Sequence, residues 1–180
     1  GYNKDENPYY LHIFRVNYDG SGLKQLDPKG FNGEFTLSDD NRFFTTTYSR
    51  VDTAPVSELY STDGRKLLTL QTVDMQPLLD AGYKYPEPFV VKSADGITDI
   101  YGVMYKPYDF DPTKKYPIIE YVYPGPQTEA VEQSWYGHMN RTDRLAQIGF
   151  IVITVGNRGG HPDRSKWYHN YGYGNLRDYG

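Results

Sequence analysis

Lys114-Lys115-Tyr116-Pro117-Ile118-Ile119-Glu120-Tyr121-Val122-Tyr123-Pro124-Gly125-Pro126 is the stretch whose reading decides the fold. A charged approach ends in a proline. An apolar run rich in β-branched residues follows, and Pro-Gly-Pro stops it. The pattern predicts a buried strand over Ile118 to Tyr123, a tight turn after it, and a tyrosine at the strand's last position. Upstream the chain reads as antiparallel β structure, and downstream it starts to alternate helix and strand. The carboxyl ends of parallel strands are where open α/β sheets hold their ligands. Tyr123 is therefore the first candidate functional residue.

Working upstream, residues 9 to 70 read as all-β. Strands are expected over Tyr10–Asn17, Leu23–Leu26, Gly33–Leu37, Arg42–Ser49, Val56–Ser61 and Lys66–Gln71. Turns at Asp19-Gly20, Ser38-Asp39-Asp40-Asn41 and Asp63-Gly64 separate them, at the spacing of a sandwich or of propeller blades. One or two helical turns follow within residues 74–85, stopped by Gly82. A domain boundary is placed at about residue 76. Phe89–Lys92 and Thr98–Tyr105 form a hairpin around Asp95-Gly96. Downstream of the central strand, Asn140 to Ile148 reads as a helix ended by Gly149. Phe150 to Val155 is a continuous apolar strand, buried on both faces. Strand, helix and strand make a βαβ unit, which opens an α/β-hydrolase sheet or another mixed α/β fold.

Composition narrows the function classes. The 180 residues are 38% hydrophobic and 23% charged, too apolar for disorder. A net charge of −4 leaves no basic footprint for nucleic acid. The 19 tyrosines suit half-buried strands and wet binding surfaces. There is no cysteine, hence no disulfide or thiolate chemistry. No apolar run is long enough to span a membrane. The polar start without Met is expected of a chain that begins inside a longer protein.

Four segments together resemble the prolyl oligopeptidase family, most closely its dipeptidyl peptidase IV branch. Val122-Tyr123-Pro124-Gly125-Pro126 is one. Asn7-Pro8-Tyr9-Tyr10-Leu11-His12-Ile13-Phe14-Arg15-Val16-Asn17-Tyr18-Asp19-Gly20-Ser21-Gly22 resembles a late propeller blade, and Thr47-Tyr48-Ser49-Arg50-Val51-Asp52-Thr53-Ala54-Pro55 the strand after it. Val155-Gly156-Asn157-Arg158-Gly159-Gly160 resembles the turn after the fourth hydrolase strand. The resemblance implies a mixed fold: residues 1–75 as the C-terminal part of a β-propeller, and residues 76–180 as the N-terminal part of an α/β-hydrolase domain. It implies a serine exopeptidase that releases N-terminal dipeptides after proline or alanine, with a peptide as partner and no cofactor. A homodimer of the full-length protein and a periplasmic or secreted location are compatible with it. Tyr123 takes the role of an oxyanion donor to the tetrahedral intermediate. None of the eight serines stands in a Gly-x-Ser-x-Gly frame. The nucleophile and its partners are expected beyond Gly180, and the isolated chain is expected to be inactive.

The remaining candidates read as structural. His12, His138, His161 and His169 match no zinc spacing. Asp39-Asp40-Asn41 lacks the rest of a calcium loop. Asn140-Arg141-Thr142 is a glycosylation pattern that arises often by chance. Asn157-Arg158-Gly159-Gly160 is a turn in which the arginine braces a neighbouring loop. Trp167 to Tyr173 is either a substrate-facing aromatic surface or a packing segment. The alternative reading, from a different function class, is a non-catalytic β-rich module that binds peptide or glycan.

Overall fold

A computed structural model describes residues 1–137 and 139–175. They form two compact units. The first comprises Gly1–Pro77 together with Gln133–Trp135; the second comprises Leu78–Glu132 with the described residues from Tyr136 onward. Most of the structure is antiparallel β sheet with few, short helices, and no barrel closes among the described residues.

The first unit holds a two-stranded ladder, β1 (Phe14–Arg15) with β2 (Lys24–Gln25), and a four-stranded antiparallel meander. The meander runs in the order β3 (Asn32–Leu37), β4 (Phe43–Arg50), β5 (Thr53–Ser61), β6 (Lys66–Thr72). Alternation along β4 buries Phe44 and Thr46 on one face. The register sets Phe44 opposite Tyr60, and the two rings stack with centroids 5.2 Å apart. With Leu26 and Ile13 they form the core of this unit. Burying a side chain of this size stabilises by roughly 2–3 kcal/mol. The Asp39-Asp40-Asn41 segment is the β3–β4 turn: Asn41 has φ +56°, and Asp40 accepts from Ser38 Oγ and Arg42 Nε. The expected strand over Tyr10–Asn17 shrinks to two residues. His12 is pulled inward between Asp27 and Glu6, at 2.9 and 3.0 Å, and Val16 is exposed.

The second unit starts with α1 (Gln76–Asp80 by its helical bounds, the first two residues belonging to the first unit) and ends that helix at Gly82, φ +91°. Its sheet has the order β7 (Glu87–Lys92), β8 (Asp99–Tyr105), β10 (Ile151–Val155), β9 (Ile118–Glu120). The β7–β8 hairpin is antiparallel, β10 is antiparallel to β8, and β9 and β10 are parallel. Between them lies α2 (Arg141–Gln147), capped by Asn140. Gly102 of β8 faces Phe89, where an added Cβ would lie 2.4 Å from the ring and 2.7 Å from the Thr154 carbonyl.

Three expectations need correction here. The central strand is three residues long, not six, although the Tyr121 N–H still donates to the Ile153 carbonyl at 2.9 Å. It is also not buried: Ile118 is 65% exposed. β9 lies at the edge of the sheet and has β10 as its one strand neighbour among the described residues. β10 is central, and Val152 and Thr154 are fully buried, but Ile151, Ile153 and Val155 on the other face are only half-buried.

Candidate active site

Tyr123 sits three residues beyond the end of β9, where the ladder to β10 stops. It is half exposed, and its hydroxyl makes no hydrogen bond among the described residues. Gly125 lies against it: an added Cβ there would approach Tyr123 Cε1 at 3.5 Å and Gln127 Oε1 at 2.6 Å. Tyr123 lines a cavity of about 220 Å³ with Tyr121, Glu129, Glu132, Arg141 and Thr142. Tyr121 departs to a different neighbour, carrying the Arg141 guanidinium over its ring at 5.0 Å.

Past β9 the chain has no helix or strand until α2, yet Glu129 within it is buried. Glu129 Oε1 accepts from the Tyr168 hydroxyl at 2.7 Å and from the His161 N–H at 3.3 Å. Its carboxylate packs against two glycines of the turn after β10. An added Cβ would lie 2.6 Å from Glu129 Oε2 at Gly156 and 2.6 Å from Oε1 at Gly160. Those positions admit no side chain without displacing the carboxylate. Sequence reasoning passed over Glu129, and it singled out Tyr168 only as part of the Trp167 to Tyr173 segment. The signal available was a pair of glycines bracketing Asn157-Arg158 at the end of an apolar strand.

Arg158 braces the β7–β8 turn, as the reading of that segment expects. Its Nη1 donates to Asp95 Oδ2 at 2.8 Å, and its guanidinium lies 3.8 Å from the Tyr171 ring centroid. Asp95 is drawn down to about 2 by the backbone N–H groups of Thr98 and Ile97, then by the Thr98 hydroxyl and Arg158. The aromatic tail divides in two. Tyr168, on α3 (Lys166–His169), is buried, while Trp167 and Tyr173 are exposed.

Glu132 borders the same cavity. Burial pushes its carboxyl up, the Tyr136 hydroxyl opposes that shift, and the Asp143 charge adds to it. The Asn140-Arg141-Thr142 triplet is a helix start: Asn140 accepts from the Arg141 N–H, Asp143 accepts from the Asn140 N–H, and Thr142 is buried. His161 and His169 flank the turn after β10, and His169 Nδ1 lies 3.1 Å from the Gly160 carbonyl. His138 lies outside the described residues. Among the described residues, no group of three or more His, Cys, Asp or Glu is placed to hold a metal ion, and no helix is long and apolar enough to cross a membrane.

No family model matches the chain. It is similar to dipeptidyl peptidase 8 of Homo sapiens, 31% identical over 163 residues, and to dipeptidyl peptidase 8 of Mus musculus, 31% identical over 165 residues. It is also similar to the probable dipeptidyl-aminopeptidase B of Emericella nidulans, 30% identical over 160 residues. Each alignment covers 86% of the chain, and the chain spans only 17–18% of the length of these relatives.

Proposed function

From a chain that belongs to the dipeptidyl peptidase branch of the prolyl oligopeptidase family, we propose that it is the junction segment of a serine exopeptidase that removes N-terminal dipeptides. In this reading residues 1–75 are the end of a β-propeller. Residues 76–180 open an α/β-hydrolase sheet. The order hairpin first, then a parallel βαβ pair, supports that assignment.

One observation carries the proposal. Tyr123 stands just past the carboxyl end of a parallel strand, with a hydroxyl that has no partner among the described residues. In acyl transfer a serine attacks the peptide carbonyl, and the carbonyl oxygen becomes an oxyanion in the tetrahedral intermediate. A neutral O–H held where that charge develops stabilises the transition state more than the ground state. A hydroxyl already engaged by the protein would have to break that bond first. Tyr123 is the donor; the serine, its base and the groups that hold the peptide's amino terminus come from outside this chain.

The test is made on the full-length protein. It should hydrolyse a chromogenic dipeptide amide with proline in the second position, and a serine-directed phosphonate should abolish that activity. If the protein neither turns over the amide nor takes up the phosphonate, yet binds the peptide, the chain is part of a binding module and the peptidase reading fails.

A further inference from the structure

Resting on the oxyanion assignment, we infer that Glu129 is a positioning residue for Tyr123, tying the loop that leaves β9 to the turn that leaves β10. An oxyanion donor works only if its hydroxyl is held where charge will appear, and a displacement of about 1 Å can cost as much as a hundredfold in rate. Tyr123 lies in an irregular segment and is itself half exposed, so neither the ladder nor its own packing fixes the ring. Six residues on, Glu129 supplies an anchor. It is 9% exposed, and it is engaged by the Tyr168 hydroxyl and the His161 N–H. The glycines at 156 and 160 let the carboxylate approach the neighbouring backbone closely. Glu129 and Tyr123 also line one cavity, so movement of the anchor reshapes the wall on which the donor stands. Tyr168 lies 39 residues further along the chain, so this single carboxylate joins both strand-end loops and α3.

The inference predicts coupling, which a merely structural strut does not produce. In the full-length enzyme Glu129→Ala should lower kcat by about tenfold with KM within about threefold. In a Tyr123→Phe background the same replacement should cost less than about twofold, because the donor it positions is gone. Glu129→Gln should restore most of kcat, since an amide oxygen still accepts from Tyr168 and His161. Equal losses in both backgrounds overturn the inference, and so does a Gln variant as slow as the Ala variant. If Glu129→Ala does not fold, Tyr168→Phe removes the hydroxyl that donates to Glu129 and keeps the ring. Its loss in kcat, about threefold, should vanish in the Tyr123→Phe background, and persistence there overturns the role. An unchanged kcat for Tyr123→Phe alone removes the oxyanion assignment and this role with it, whereas additive losses remove only the role of Glu129.

Discussion

Each unit of the chain buries one carboxylate against a tyrosine hydroxyl, and the two are built in different ways. In the first, Glu58 Oε2 accepts from Tyr60 at 2.7 Å, and Oε1 pairs with Lys66. All three lie on the adjacent strands β5 and β6, within eight residues of one another. In the second, Glu129 takes its partners 32 and 39 residues away. Burial alone would raise the carboxyl of Glu58, but hydrogen bonds from Lys66 and Tyr60 prevail and hold it below the ordinary range. A carboxylate satisfied by its own hairpin stabilises a sheet. One satisfied from distant segments fixes loops relative to each other, which is what a strand-end site needs.

The largest expected effect lies at Tyr123, the oxyanion donor proposed above. Tyr123→Phe in the full-length enzyme should lower kcat by roughly 10²–10³, about 3 kcal/mol, with little change in KM; steady-state kinetics check it. Gly160→Ala comes next. Its Cβ would lie 2.6 Å from Glu129 Oε1 and 2.8 Å from the Asn157 carbonyl. It should destabilise by about 1–3 kcal/mol and lower kcat as well, read by urea denaturation and by turnover.

Lys66→Met sharpens the contrast from the other side. It should cost about 1–2 kcal/mol of stability through the half-satisfied Glu58 and leave kcat per folded molecule unchanged. The pH dependence has a definite sign. The carboxyl of Glu58 is depressed in the folded state, so its contribution is complete above the ordinary glutamate range and fades as pH falls through the folded value. The Lys66→Met penalty should therefore shrink in acid. A loss of kcat in this variant would erase the distinction between the two carboxylates.

Glu132→Gln should have the smallest effect and the opposite pH trend. The carboxyl of Glu132 is raised, so its ionised form weakens the fold above that raised value. Replacement should stabilise slightly at neutral pH and make no difference below the ordinary glutamate range, as thermal melts across pH would show.

Much of the secondary structure was legible before any coordinates. Asp-Gly and Ser-Asp-Asp turns marked the meander, because turn residues act over a few positions. Gly82 and Gly149 ended helices with φ of +91° and +104°, conformations that glycine adopts at little cost. The βαβ crossover followed from strand, helix and strand in order. The apolar run at Ile118 misled about burial, since the same residues serve a central strand and an edge strand whose outer neighbour is not among the described residues. At the candidate site, a tyrosine at a strand's tip stood out by its place before Pro-Gly-Pro. Glu129 did not, because a carboxylate in a polar loop carries no local mark of its fate.

Local sequence was enough to place most of the strands and turns, and to mark Tyr123 by its position before Pro-Gly-Pro. Those depend on residues a few positions apart. Only the tertiary structure decided that β10 inserts between β8 and β9, that β9 stays at an edge, and that Glu129 meets Tyr168 and His161. Those contacts join residues dozens of positions apart. They form because a buried carboxylate must find donors wherever the packed chain brings them.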